Sequence, residues 1–139
     1  MVLIFLLTVW ISTDSHLNIV PPPQSIINVA ELTLRRGATK MVMPEYPSES
    51  VKNHSTGIAV AQIEINADGE VDKLEVLEAP DLPIKNEVSG AVKQWRFQPQ
   101  TIHGSPVRIR GKLTFYFVFD EEGRATVKNP KQPEPPPKK

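Results

Sequence analysis

The sequence predicts an α+β domain: a three-stranded antiparallel sheet with two helices packed on one face, in the order αββαβ. Three observations carry this. Val107, Ile109, Leu113, Phe115, Phe117 and Phe119 occupy odd positions, while Arg108, Arg110, Lys112, Thr114 and Tyr116 occupy even ones. A period of two marks a strand with one buried face. Ala59, Ala61, Ile63 and Ile65 repeat that pattern before Asn66-Ala67-Asp68-Gly69, and Leu74 and Val76 continue it afterwards. Gly69 suits a hairpin turn because it takes positive φ without steric cost. Finally, Ile84, Val88, Ala91, Val92 and Trp95 fall on one stripe of an amphipathic helix.

Taken in order, residues 1–13 hold the apolar run Val2–Ile11, broken only by Thr8. As a helix it would rise about 15 Å, half the ~30 Å hydrocarbon core of a membrane. It matches an export signal in length, although no Lys or Arg precedes it and no clear A-x-A site follows. A start inside a longer membrane helix, leaving a truncated anchor, is the competing reading; a buried strand is the third. Both leading readings place the rest of the chain outside the cytoplasm. Residues 14–40 contain Pro21, Pro22 and Pro23 and read as an extended linker. Within it, Glu31 to Met43 has the composition for one extra strand.

The domain itself spans 41–120. Pro47 suits the first turn of a short helix reaching about Ser55, with Gly57 as a left-handed cap. Asp81-Leu82-Pro83 supplies an N-cap and a first-turn proline for the second helix. Phe97-Gln98-Pro99 ends that helix, and Gly104-Ser105-Pro106 turns the chain into the last strand. Trp95, Phe97 and the strand phenylalanines should dominate a modest core. Residues 121–139 are polar and proline-rich and read as a disordered tail.

Composition excludes several function classes. Sixteen basic residues balance sixteen acidic ones, so no overall field steers the chain toward nucleic acid. There is no cysteine, hence no disulfide, thiolate ligand or cysteine nucleophile. His16, His54 and His103 lie in separate segments without a second ligand at metal spacing. Asp68 and Glu70 belong to turn chemistry, and neither a phosphate loop nor a nucleophile elbow is present. The chain reads as a non-enzyme that needs no cofactor.

Tyr46-Pro47, Gly57 at the start of a strand and Asp68-Gly69-Glu70-Val71 in the hairpin form an ordered set. It continues with Ala91-Val92-x-x-Trp95-Arg96-Phe97-x-Pro99, Gly104-x-Pro106-Val107 and the closing aromatic strand. In this set, covering roughly Met41 to Phe119, the chain resembles the C-terminal domain of TonB energy transducers. The resemblance implies a domain on the periplasmic side of the inner membrane, attached through its N-terminus. It also implies an ExbB–ExbD-type motor and an outer-membrane transporter as partners, the transporter's peptide adding as a strand beside the last strand. Here that strand is Val107 to Phe119, and the expected partner-binding residues are Arg108, Arg110, Lys112, Thr114, Tyr116 and Val118. A long unpaired edge is a physical template for such pairing. Arg108, Arg110 and Lys112 would give it a cationic character, either a solvated face that discourages edge-to-edge aggregation or an attraction for an acidic or polar peptide, and the two are compatible. Three features depart from the family. The apolar N-terminus is short and lacks basic flanks, the richest proline segment follows the domain instead of preceding it, and the roughly 30 residues between Ile11 and Met41 reach about 100 Å at most. The alternative is a structural envelope adaptor or self-association module, a homodimer included, without a motor.

Overall fold

In the computed structural model, which describes residues 25–130, the period-two run becomes a twelve-residue strand on which the sheet assembles. The chain runs β1 (Ile26–Asn28), α1 (Glu31–Arg36), β2 (Ala38–Lys40), α2 (Ser48–Lys52), β3 (Gly57–Ile65), β4 (Val71–Glu78) and α3 (Leu82–Lys93). It continues through β5 (Arg96–Phe97), β6 (Thr101–Ile102), β7 (Ser105–Pro106), β8 (Arg108–Phe119) and β9 (Ala125–Lys128). The main sheet has the order β1-β8-β3-β4, with β9 also pairing β8. β3 lies antiparallel to both neighbours, with Ala61 opposite Leu113 and Ile63 opposite Leu74.

That register places Ala59, Ala61, Ile63, Leu113, Phe115 and Phe117 on one face, all fully buried or nearly so. α3 covers them with Ile84, Val88, Ala91 and Val92, and α2 packs beside it. Burial of each Ile, Val, Leu or Phe side chain among them contributes about 1.5–3 kcal/mol. Trp95 is wholly buried, and its indole Nε1 donates to the Val42 carbonyl at 2.8 Å. The α3 start is as the sequence predicts: Asp81 accepts from the Ile84 amide at 2.9 Å. Burial is the largest single influence on Asp81 and opposes its ionisation, but the Ile84 amide bond and the neighbouring Ser55 and Ser50 hydroxyls together outweigh it and the pKa falls below the ordinary value.

The shared motif residues have a common physical cause. Gly69 has φ +85, and a Cβ there would stand 1.9 Å from the Phe97 carbonyl oxygen. The Phe97 amide donates to the Gly69 carbonyl at 2.8 Å. The hairpin turn therefore rests directly on the Trp-Arg-Phe segment, with no room for a side chain between them. Asn66 Oδ1 accepts from the Asp68 and Glu70 amides, each at 3.0 Å, and fixes the turn.

Four expectations need correction. The sheet has five strands instead of three, because β1 and β9 add to β8. The linker assigned to residues 14–40 ends in structure: Glu31–Arg36 is a helix, and the strand that follows is only Ala38–Lys40, paired with β5. The tail assigned to residues 121–139 contains β9, whose Val127 packs on the core. Gly57, with φ +147, opens β3 instead of capping α2; His54, at φ 52, takes the left-handed position. The apolar run and the last residues, 131–139, lie outside the described residues. Among those described, no helix is long and apolar enough to cross a membrane.

Candidate functional site: the outer edge of the long strand

One side of β8 pairs with β3 from Ile109 to Phe117. The other side is an edge, to which alternate residues turn their backbone groups. The even positions are the ones that face it. Arg108 N–H donates to the Ser25 carbonyl at 3.0 Å, and the Arg110 carbonyl accepts from Val29 N–H at 2.9 Å. Thr114 N–H donates to Glu31 Oε1 at 2.7 Å, and Tyr116 and Val118 lie opposite Lys128 and Thr126 of β9. All six sequence-predicted residues therefore fall along one strand edge, with Lys112 there by alternation.

The edge is not open, as the sequence suggested, but covered in three pieces by the chain itself. β1 runs parallel to it over Arg108–Arg110, and β9 antiparallel over Tyr116–Phe119. Among the described residues no strand continues between them. There Glu31 accepts from both the amide and the hydroxyl of Thr114, the latter at 2.9 Å. Arg35 Nη2 donates to the Thr114 carbonyl at 2.7 Å, and Nε to Glu31 Oε1 at 2.9 Å. Its Nη1 donates to Asn129 Oδ1 at 3.0 Å, and its guanidinium lies 5.3 Å from the Phe115 ring and 5.6 Å from that of Trp95. A Cβ on Gly111 would come within 2.9 Å of Leu34 Cδ2, so glycine lets α1 sit this close. A cleft of about 100 Å³, lined by Val29, Leu34, Phe97, Val107 and Ile109 among others, opens beside the first residues of the edge.

Side chains of the even positions point to the sheet face away from α3. Arg108 pairs with Asp72, and its Nη2 lies 3.4 Å from Glu64. Arg110 Nη2 stands 2.6 Å from Glu64 Oε1, and Lys73 Nζ stands 3.5 Å from the other oxygen. Glu64 is only 7% exposed. The Arg110 hydrogen bond holds its pKa below the usual carboxylate value, against the opposing effect of burial. The cationic edge expected from Arg108, Arg110 and Lys112 is thus largely neutralised at its first two members; Lys112 is exposed. Thr114, Tyr116 and Val118 are half-buried.

Sequence reasoning missed Glu31 and Arg35, which sit in the presumed linker. Their i,i+4 spacing was the available signal, since Glu four residues before Arg supports a helical turn. His54 stacks on Phe119 at 5.5 Å, and His103 occupies the turn between β6 and β7. No group of three or more potential ligands for a metal occurs among the described residues.

Comparison with known proteins agrees with this architecture. Residues 42–119 match the family model of the Gram-negative bacterial TonB protein C-terminal domain. Protein TonB of Pseudomonas aeruginosa is 29% identical over 83 residues, covering 59% of this chain and 24% of that protein. The match thus spans about a quarter of the curated relative's length. The solution NMR structure of the Pseudomonas aeruginosa TonB C-terminal domain superposes with a TM-score of 0.50 and 27% identity, covering 60% of this chain and 86% of that one. With more than half of its length matched by the family model, this chain belongs to the TonB C-terminal family.

Proposed function

We propose that this chain is a periplasmic interaction domain that takes a partner peptide as an added strand on β8. Arg108, Arg110, Lys112, Thr114, Tyr116 and Val118 line the pairing edge. The observation that carries this reading is the make-up of that edge. Among the described residues, a twelve-residue strand is met on its outer side only by short pieces of three and four residues and two side chains. Main-chain hydrogen bonds would give affinity, and pockets for alternate side chains would give selectivity. The family suggests the periplasmic N-terminal segment of an outer-membrane transporter as the peptide. It also suggests an ExbB–ExbD-type motor acting through the N-terminus at the inner membrane. With residues 25–40 packed on the domain, only residues 12–24 separate it from the apolar run, a span of ~45 Å at full extension. That short reach makes attachment near the inner membrane the more natural geometry.

A second reading, the envelope adaptor or homodimer without a motor, draws on the opposite edge. Among the described residues β4 pairs only with β3, so a second copy could add there. Amide-shift mapping by NMR with a synthetic peptide copying the transporter segment separates the two. The strand-addition reading expects shifts along Arg108–Val118. Shifts confined to β4 and the Asp68-Gly69 turn, with β8 silent, would overturn it.

A further inference from the structure

We propose that β1 and α1, with β9 tied to them through Arg35 and Asn129, form a built-in latch on the β8 edge, and that a partner strand gains this edge by displacing them. The inference rests on the strand-addition reading and states how access to that site is controlled. Three features support it.

First, the cover imitates a partner. β1 supplies a real but short ladder over Arg108–Arg110. Where that ladder stops, Glu31 offers Thr114 N–H an acceptor and Arg35 offers Thr114 C=O a donor. These are the two groups that the backbone of a paired strand would present at that position. The side chains of one helical turn thus complete the edge that β1 leaves unfinished. Second, the cover is shallow. Leu34 is the one buried residue of α1, β1 has none, and Ile26 is 41% exposed. Segments with few buried apolar contacts open locally before the whole fold does. Third, the latch is cross-tied. Arg35 bonds Glu31 of its own helix, Thr114 of β8 and Asn129 just beyond β9. Loss of the Glu31–Arg35 clasp therefore loosens both ends of the cover at once. A peptide sees an affinity reduced by the fraction of time the edge is open, so weakening the latch should tighten binding.

The full chain has no cysteine, which makes a locking experiment clean. Ile27 and Ile109 are Cα partners in the β1–β8 register, and neighbouring strands lie about 4.8 Å apart, within disulfide reach. Calorimetry with the synthetic transporter peptide would be run on the Ile27→Cys, Ile109→Cys chain, oxidised and reduced, and on Glu31→Ala. The oxidised form should lose binding at least tenfold and regain it on reduction. Glu31→Ala should bind at least threefold to tenfold more tightly, as loss of the three Glu31 hydrogen bonds from the closed state implies, although its melting temperature falls. A merely structural Glu31 would lower affinity along with stability. Equal affinity in all forms, or weaker binding by Glu31→Ala, overturns the latch while leaving a partner site elsewhere intact. If the peptide bound no form, the partner reading would fail, and amide exchange without peptide would judge the latch. Joint acceleration of Val29, Arg108 and Thr114 in Glu31→Ala, with β3 unchanged, would support it; acceleration of Thr114 alone would overturn it.

Discussion

The two edges of the sheet solve the same physical problem in different ways. Any edge strand presents unpaired N–H and C=O groups that invite another chain. Among the described residues β4 has no strand beyond it, and it meets solvent mainly with Asp72, Lys73, Glu75 and Glu78, charges that discourage pairing, beside the exposed Leu77. β8 alternates half-buried and buried side chains along most of its length, and its edge is covered by β1, the Glu31–Arg35 clasp and β9. An edge guarded by charge needs no cover and offers a partner little. An edge guarded by short, separable pieces is protected at rest and remains available. Function in this fold is thus better sought where protection is conditional than where it is permanent.

The largest test of this contrast removes the support common to both edges. Trp95→Ala should cost about 3–5 kcal/mol, enough to threaten a small domain outright, and urea unfolding of the full chain would measure it. Near-normal stability would show that neither edge depends on the core as described. Next comes Thr114→Pro. Its N–H faces Glu31 and not β3, so the β3–β8 ladder should survive and the loss should be about 1–3 kcal/mol. Global unfolding would mean that the clasp has been misplaced.

Glu64 lies between the two edges, bonded to Lys73 of β4 and to Arg108 and Arg110 of β8. Its folded pKa is depressed below the ordinary 4.5, chiefly by the Arg110 hydrogen bond. Its contribution is therefore fully present above pH 4.5 and lost as pH falls through the lowered value. Glu64→Gln should flatten the acid limb of the stability profile without abolishing it, because Asp81 and Asp120 are shifted in the same direction. An unchanged limb would dissociate Glu64 from the network. The smallest change is Glu75→Val with Glu78→Val on β4, expected within about 0.5 kcal/mol of the parent. Sedimentation at rising concentration should nevertheless reveal self-association as the charge guard is lost.

What the sequence disclosed follows from element length. β3, β4, β8 and α3 each run for eight residues or more, long enough for a period to declare itself. The six positions on β8 were legible for the same reason, since alternation assigns every second residue to one face. β1, α1 and β9 have three, six and four residues, too few to show a period, and Ala125-Thr126-Val127-Lys128 sits among turn-forming and proline-rich neighbours. Their structure is imposed by β8, through tertiary context that overrides local composition. Occupancy of the edge was therefore invisible: it depends on which distant segment can satisfy Thr114, and nothing near Thr114 encodes that. The neutralising partners of Arg108 and Arg110 were hidden likewise, because Glu64 and Asp72 meet them only once the register is set.

The most direct measurement is contact mapping between isotope-labelled chain and unlabelled transporter peptide by interstrand nuclear Overhauser effects. The account predicts contacts from the peptide to Arg108–Val118, together with loss of the 2.9 Å hydrogen bond from Val29 N–H to the Arg110 carbonyl. Contacts along Val71–Glu78, with β1 still paired to β8, would contradict it.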